Sequence, residues 1–333
     1  MNRLTELLGS SPRWPWGAGR IMLGLMWLAT LRWKLPPNFE PTEGTRGVKE
    51  WLELQVANPG LSWYGDIIDS VVLPNFTLFA WLLFFLELFV GLSLLLGIFT
   101  RPAALIGLGM SLNLWIGLRN IEWHWTYVLM AAWHLAIVIS PYVNTWSLQS
   151  VLPDGLARLS GLGNGLAQGT DGIRGSLAAA TLRITLGVIT LVTWKGNVDS
   201  DFYDGENFPG FFDWVSKPVE DGGNGASLGF VHSLVDATVL QAPEFIGWFM
   251  TFFELFVGVG LLFGIFTRAA SLAAVGFFGS LLLVYFGGHE WIFIYVMLTA
   301  AAGAVFFGWG GRQIGVDQAL ANSRGESPAT LLW

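Results

Sequence analysis

A run of 17 residues, Phe85-Leu-Glu-Leu-Phe-Val-Gly-Leu-Ser-Leu-Leu-Leu-Gly-Ile-Phe-Thr-Arg101, returns 167 residues later as Phe252-Phe-Glu-Leu-Phe-Val-Gly-Val-Gly-Leu-Leu-Phe-Gly-Ile-Phe-Thr-Arg268, with thirteen positions identical. A chain that repeats itself at this distance is expected to fold as two versions of one unit. The likeness extends outwards. Arg20-Ile-Met-Leu-Gly answers Arg183-Ile-Thr-Leu-Gly, Trp33-Lys34 answers Trp194-Lys195, Trp81 answers Trp248, and Glu122-Trp123 answers Glu290-Trp291. The chain reads as a tandem duplication.

Neither copy is suited to water. Hydrophobic residues make up 53% of the 333 and charged residues 12%, about half the charged share of a soluble domain. Each copy holds four apolar segments, at 16–34, 75–99, 102–118 and 123–140, then 177–194, 244–266, 269–287 and 290–308. About 20 helical residues cross the hydrocarbon of a bilayer. The expected fold is therefore all-α and integral to the membrane, with two tandem four-helix transmembrane bundles and eight helices in all. The first repeat covers 1–140, a linker containing Gly, Ser and Pro covers 141–176, the second repeat covers 177–317 and a tail covers 318–333. The first apolar stretch, Ile21 to Leu31, lacks a small-residue cleavage site and reads as a retained helix. Eighteen Trp and 42 Gly fit helices packed closely in lipid, with aromatic rings at the headgroups.

An even number of crossings gives both copies the same orientation, making them parallel repeats. Arg3, Arg13, Arg20, Arg101, Arg158, Arg174, Arg183, Arg268, Arg312 and Arg324 all fall on one side. The excess of basic residues on cytoplasmic loops places that side, with both termini and the linker, in the cytoplasm of a multi-pass cell-membrane protein. The acids crowd into segments 36–70 and 199–244, which would face outward. Their scattered Trp51, Leu52, Phe211, Phe212 and Trp214 suggest short helices on the membrane surface. With a net charge of −7 and no basic face, nucleic acid is excluded as a partner, while membrane lipids are expected. Only four of the 17 basic residues are Lys, and Arg beside acidic loops hints at a halophilic setting or at a GC-rich genome.

Glu87 and Glu254 fall near mid-membrane, where a carboxylate is costly and is either functional or paired. One reading makes them proton acceptors or donors for a quinone headgroup, or carboxylates in a transport path. The plainer reading makes them structural, hydrogen-bonded to neighbouring helices. Arg101 and Arg268 lie about 21 Å of helix from their Glu, too far for direct pairing. With Arg20 and Arg183 they are candidates for lipid phosphates or an anionic substrate. Lys34 and Lys195, each after a Trp, read as interfacial anchors whose amine reaches toward water, or as anion ligands at the outer mouth of each bundle. Glu122 and Glu290 stand where an acid complements a helix N-terminus. His124 and His134 are ten residues apart, about 15 Å of helix, and cannot clamp one metal from a single helix. No His recurs between copies and there is no Cys, so no haem, metal or iron–sulfur cluster is expected.

The pattern Arg-Ile-x-Leu-Gly, a Lys near the helix end, then Glu-x-x-x-Gly-x-x-x-x-x-Gly-x-Phe-Thr-Arg resembles the DoxX/DoxD-like family of four-helix membrane proteins. The carrying residues are Arg20, Gly24, Lys34, Glu87, Gly91, Gly97, Thr100 and Arg101, then Arg183, Gly187, Lys195, Glu254, Gly258, Gly264, Thr267 and Arg268. The family's closing Arg and Asp correspond to Arg312 and Asp317, with Asn144 and Gln149 in the first copy. The resemblance implies a membrane subunit like that of thiosulfate:quinone oxidoreductase, with quinone as the redox cofactor and a redox partner subunit. A carrier for protons or small solutes and a membrane scaffold are the other readings of the same residues.

Overall fold

The computed structural model describes residues 13–37, 39, 46–162, 171–204, 207–226, 228–288 and 291–324. Among them every element is helical. The first copy contains α1 (Trp14–Thr30), α2 (Val48–Ala57), α3 (Ser62–Ile67), α4 (Phe76–Leu96), α5 (Thr100–Leu118), α6 (Trp125–Ile139) and α7 (Asp154–Ser160). The second contains α8 (Asp171–Asp199), α9 (Asn207–Ser216), α10 (Gly229–Thr238), α11 (Pro243–Phe263), α12 (Thr267–Val284), α13 (Phe293–Phe307) and α14 (Val316–Arg324). The chain divides into two compact units, Arg13–Ala178 and the described residues from Ala179 onward.

Four helical stretches are long and apolar enough to cross a membrane: Ser62–Leu96, Leu177–Asp199, Pro243–Phe263 and Thr267–Val284. Trp125–Ile139 and Phe293–Phe307 are shorter apolar helices. The first of the four is longer than its sequence signal, because α3 runs through a π turn at Ile68–Val72 and a 3-10 turn at Leu73–Asn75 into α4.

Each Gly-Ile-Phe-Thr-Arg sequence makes a corner between two helices. Gly97 (φ 74°) and Gly264 (φ 67°) end α4 and α11 in the left-handed conformation that glycine adopts without strain. Phe99 (φ 54°) and Phe266 (φ 48°) then turn the chain into α5 and α12. Asp317 stabilises the second corner, its two oxygens accepting the Phe266 and Thr267 amides at 2.9 and 2.8 Å. In the first unit the Ser160 hydroxyl accepts the Phe99 amide at 2.9 Å. Residues 141–162, expected as linker, are therefore part of the first unit's frame. Likewise α14 runs from Val316, near the end of the expected second repeat, to Arg324 within the expected tail, and its Asp317 is fully buried.

Close approach fixes the spacing of α1 against α4 and of α8 against α11. A Cβ on Gly24 would meet the Leu95 nitrogen at 2.5 Å and the Gly91 oxygen at 2.9 Å; one on Gly187 would meet the Leu262 nitrogen at 2.4 Å. These are backbone atoms that cannot rotate away. Substituting Gly24→Ala is expected to lower the thermal midpoint, with an overpacking cost of about 1–3 kcal/mol. Gly109→Ala in α5, where nothing lies within 4 Å, should leave the midpoint unchanged or raise it, as thermal unfolding in detergent would measure.

Candidate functional site

Both glutamates are the twelfth residue of a 21-residue helix, and both are buried. Their partners differ. In the first unit Lys34, at the end of the 3-10 turn that follows α1, places Nζ 2.5 Å from Glu87 Oε1. The same ammonium lies 4.2 Å from the centre of the Trp33 ring. The pair is almost wholly shielded, with the side chains 9% and 2% exposed. Lys34 is thus not reaching toward water as an interfacial anchor, nor presented to an outside anion: its charge is spent on Glu87.

In the second unit Lys195 is exposed and pairs with Asp199 one helical turn on, the geometry of an ordinary surface ion pair. Glu254 instead receives the Asn197 amide, whose Nδ2 lies 3.1 Å from Oε2 and 3.4 Å from Oε1. The same Nδ2 donates to the Tyr203 hydroxyl at 3.2 Å, and the Tyr203 phenol hydrogen-bonds to Glu254. Tyr203 lies in the turn after α8. Burial, and then the neighbouring carboxylate, push its phenol well above the usual tyrosine range, so it stays protonated and acts as a donor.

The physical reason for the exchange is helical register. Lys34 stands fourteen residues past Arg20, and Asn197 fourteen past Arg183; Lys195 stands only twelve past. Two residues of α-helix turn a side chain by about 200°. Matching Trp-Lys with Trp-Lys therefore sets Lys195 on the wrong face. Neither Asn197 nor Tyr203 is found by matching motifs, but counting from the shared Arg identifies Asn197.

The arginines form a second, structural set. Arg20 is fully buried in α1 and donates to the Leu94 and Leu95 carbonyls at the end of α4, the latter at 3.1 Å. It also donates to the Thr145 and Trp146 carbonyls at 3.1 and 3.0 Å. Arg183 repeats this with Leu261 and Leu262 at 2.5 and 2.9 Å, and with Gly310 and Ile314 at 3.1 and 2.7 Å. Each guanidinium caps a helix C-terminus and ties down the chain that follows α6 in the first unit or α13 in the second. Arg20 and Arg183 are thereby committed to backbone carbonyls and withdrawn from anion binding. Arg101 is buried as well, donating to the Val138 and Ser140 carbonyls at 3.0 and 2.8 Å. Arg268 packs over the Phe306 and Trp309 rings at 4.5 and 4.2 Å, and Arg312 lies 5.2 Å from the same Trp309.

Glu122 accepts the Tyr127 hydroxyl at 2.5 Å, and α6 has no side-chain cap. Its expected counterpart Glu290, like His289, lies outside the described residues. His134 is a core residue whose Nε2 accepts the Trp27 indole N–H at 3.0 Å. No family model, no curated protein and no solved structure matches the chain.

Lys34→Met leaves the Glu87 carboxylate buried without its cation, a change that costs about 3–5 kcal/mol where a buried pair is broken. Lys34→Met combined with Glu87→Leu removes both charges and should recover most of that loss. Chemical unfolding of the single and double variants measures the difference.

Proposed function

We propose that the chain is a multi-pass protein of the cell membrane, made of two parallel four-helix bundles, and that it is the membrane subunit of a quinone-linked oxidoreductase of the DoxX/DoxD-like kind. Electrons pass to quinone from thiosulfate or a similar reduced sulfur donor. The observation that carries this reading is the Glu254 carboxylate, buried in an apolar bundle and bonded to the protonated phenol of Tyr203. Reducing a quinone to a quinol takes up two electrons and two protons. The Glu254 side chain in its protonated form can hand its proton to a quinone oxygen, and the carboxylate left behind is reprotonated from solvent by way of the half-buried Tyr203 hydroxyl. Phe202 and Phe208, packed around Tyr203 at ring separations of 5.1 and 5.7 Å, provide an apolar wall suited to a quinone ring. The chain has no Cys for a thiolate relay or a cysteine-bound cluster. Electrons therefore travel directly from donor to quinone or through a partner subunit.

The first unit supports a different role. Glu87 is paired with a tethered ammonium built into the chain, and this favours a scaffold function for that half.

Quinone reduction by the purified chain, with thiosulfate or sulfide as donor, tests the proposal. Glu254→Gln should lower the rate about 100-fold or more, the scale of general acid–base assistance, while the thermal midpoint in sodium-free buffer is kept. Tyr203→Phe should also slow it, and Glu87→Gln should spare it. Full activity in Glu254→Gln would remove the proton-transfer role, and no turnover by the native chain with any sulfur donor would remove the reaction.

The orientation follows from the arginines of the sequence. Because the chain lacks Cys, single cysteines report it cleanly. Asp221→Cys, on an exposed stretch of the acidic segment, should react with a membrane-impermeant maleimide in intact cells. Ser323→Cys should react only after the membrane is opened, and the reverse pattern would invert the topology.

A further inference from the structure

We propose that Glu254, Asn197 and Tyr203 form a binding site for a small monovalent metal ion, sodium in the first instance, in the place that the Lys34 ammonium fills in the first unit. The inference concerns the carboxylate assigned above to proton transfer, but it stands or falls without quinone turnover. Its basis is the comparison of two versions of one site. A carboxylate removed from water is strongly disfavoured unless a counter-charge accompanies it. In the first unit that charge is built into the chain, with Lys34 Nζ on Glu87 Oε1. In the second unit the register position is Asn197, and the nearby lysine, Lys195, is turned outward to Asp199. The carboxylate is retained while its tethered cation has been exchanged for a neutral amide.

The groups that replace Lys34 are oxygen ligands or can become so. Glu254 offers two carboxylate oxygens and Tyr203 its hydroxyl oxygen, whose lone pairs remain when the phenol is protonated. Asn197 presents Nδ2 to the carboxylate, and turning its amide over presents Oδ1 instead. Hard oxygen donors suit a hard cation. The charge count selects a monovalent ion: among the described residues no three His, Cys, Asp or Glu side chains converge. A single carboxylate would leave a divalent ion with a net positive charge in an apolar bundle. Asn197 and Tyr203 are both half-buried, so the oxygen ligands are not sealed from solvent.

The test uses the full chain in detergent or nanodiscs, at constant ionic strength, with sodium chloride replaced stepwise by choline chloride. Each tenfold rise in sodium above half-saturation should raise the thermal midpoint by about 3 °C, and sodium-23 resonances should broaden on binding. Asn197→Lys supplies a tethered ammonium at the position of Lys34, so it should fold and lose the sodium response. Glu254→Gln should lose it too. Equal midpoints in sodium and choline for the native chain would overturn the proposal. So would a sodium response that survives in both Glu254→Gln and Asn197→Lys, since the ion would then lie elsewhere.

Discussion

A guanidinium buried among backbone carbonyls is the constraint on which each unit depends. The last turn of any α-helix leaves carbonyls without intrahelical partners. In α4 and α11 those carbonyls face the interior, where water cannot satisfy them. Arg20 and Arg183 supply the donors from the neighbouring helix and bind the chain that follows α6 and α13. One side chain thus holds three parts of a unit together. Removing it would strand several carbonyls at once, and hydrogen bonds to a charged group contribute about 1.5–3 kcal/mol each. The glycines at 24 and 187 follow from the same requirement, since backbones this close bring the arginine within reach of the helix end.

With that end fixed, the opposite end has been free to diverge. The two glutamates occupy the same step of the same helix, yet one has a lysine and the other an asparagine and a tyrosine. A tethered ammonium supplies the counter-charge of Glu87. Glu254 has neutral hydrogen-bonding partners in its place. Duplication makes such a division possible, because one copy can be held rigid while the other takes on a reacting or binding group. The acidic segment of the second copy then has a local role as well as a charge: it delivers Tyr203 to the carboxylate. It also packs Val215 and Val231 with Val284 of α12, alongside Phe211, Phe212 and Tyr285.

The corners show a similar substitution of means. Both Phe-Thr-Arg turns expose a backbone amide that must be satisfied. In the second copy Asp317 does so from α14, close to the corner it stabilises. In the first copy, where Gln149 stands at the matching position, the chain continues to Ser160 before a hydroxyl reaches Phe99. The residues after α6 are therefore structural rather than a tether, which composition rich in Gly and Ser does not reveal.

The sequence by itself determined the class of fold. Long apolar runs can bury their backbone only as helices, the repeat fixes that there are two related units, and Gly97 and Gly264 mark where helices must turn. It also marked Glu87 and Glu254, since an acid inside an apolar run is conspicuous in any reading. What it left undecided is which groups meet those acids and which arginines remain available, because adjacency in a motif says nothing about the face of a helix. Lys195 sits beside Trp194 just as Lys34 sits beside Trp33, yet two residues of register turn it to the opposite face. Only the tertiary structure shows Arg20 and Arg183 consumed by carbonyls some 75 to 131 positions away, Asn197 in the lysine's place, and Tyr203 brought in from a segment with no recognisable repeat. Contacts of that kind are set by packing in three dimensions, where the partners are chosen by distance and not by order along the chain.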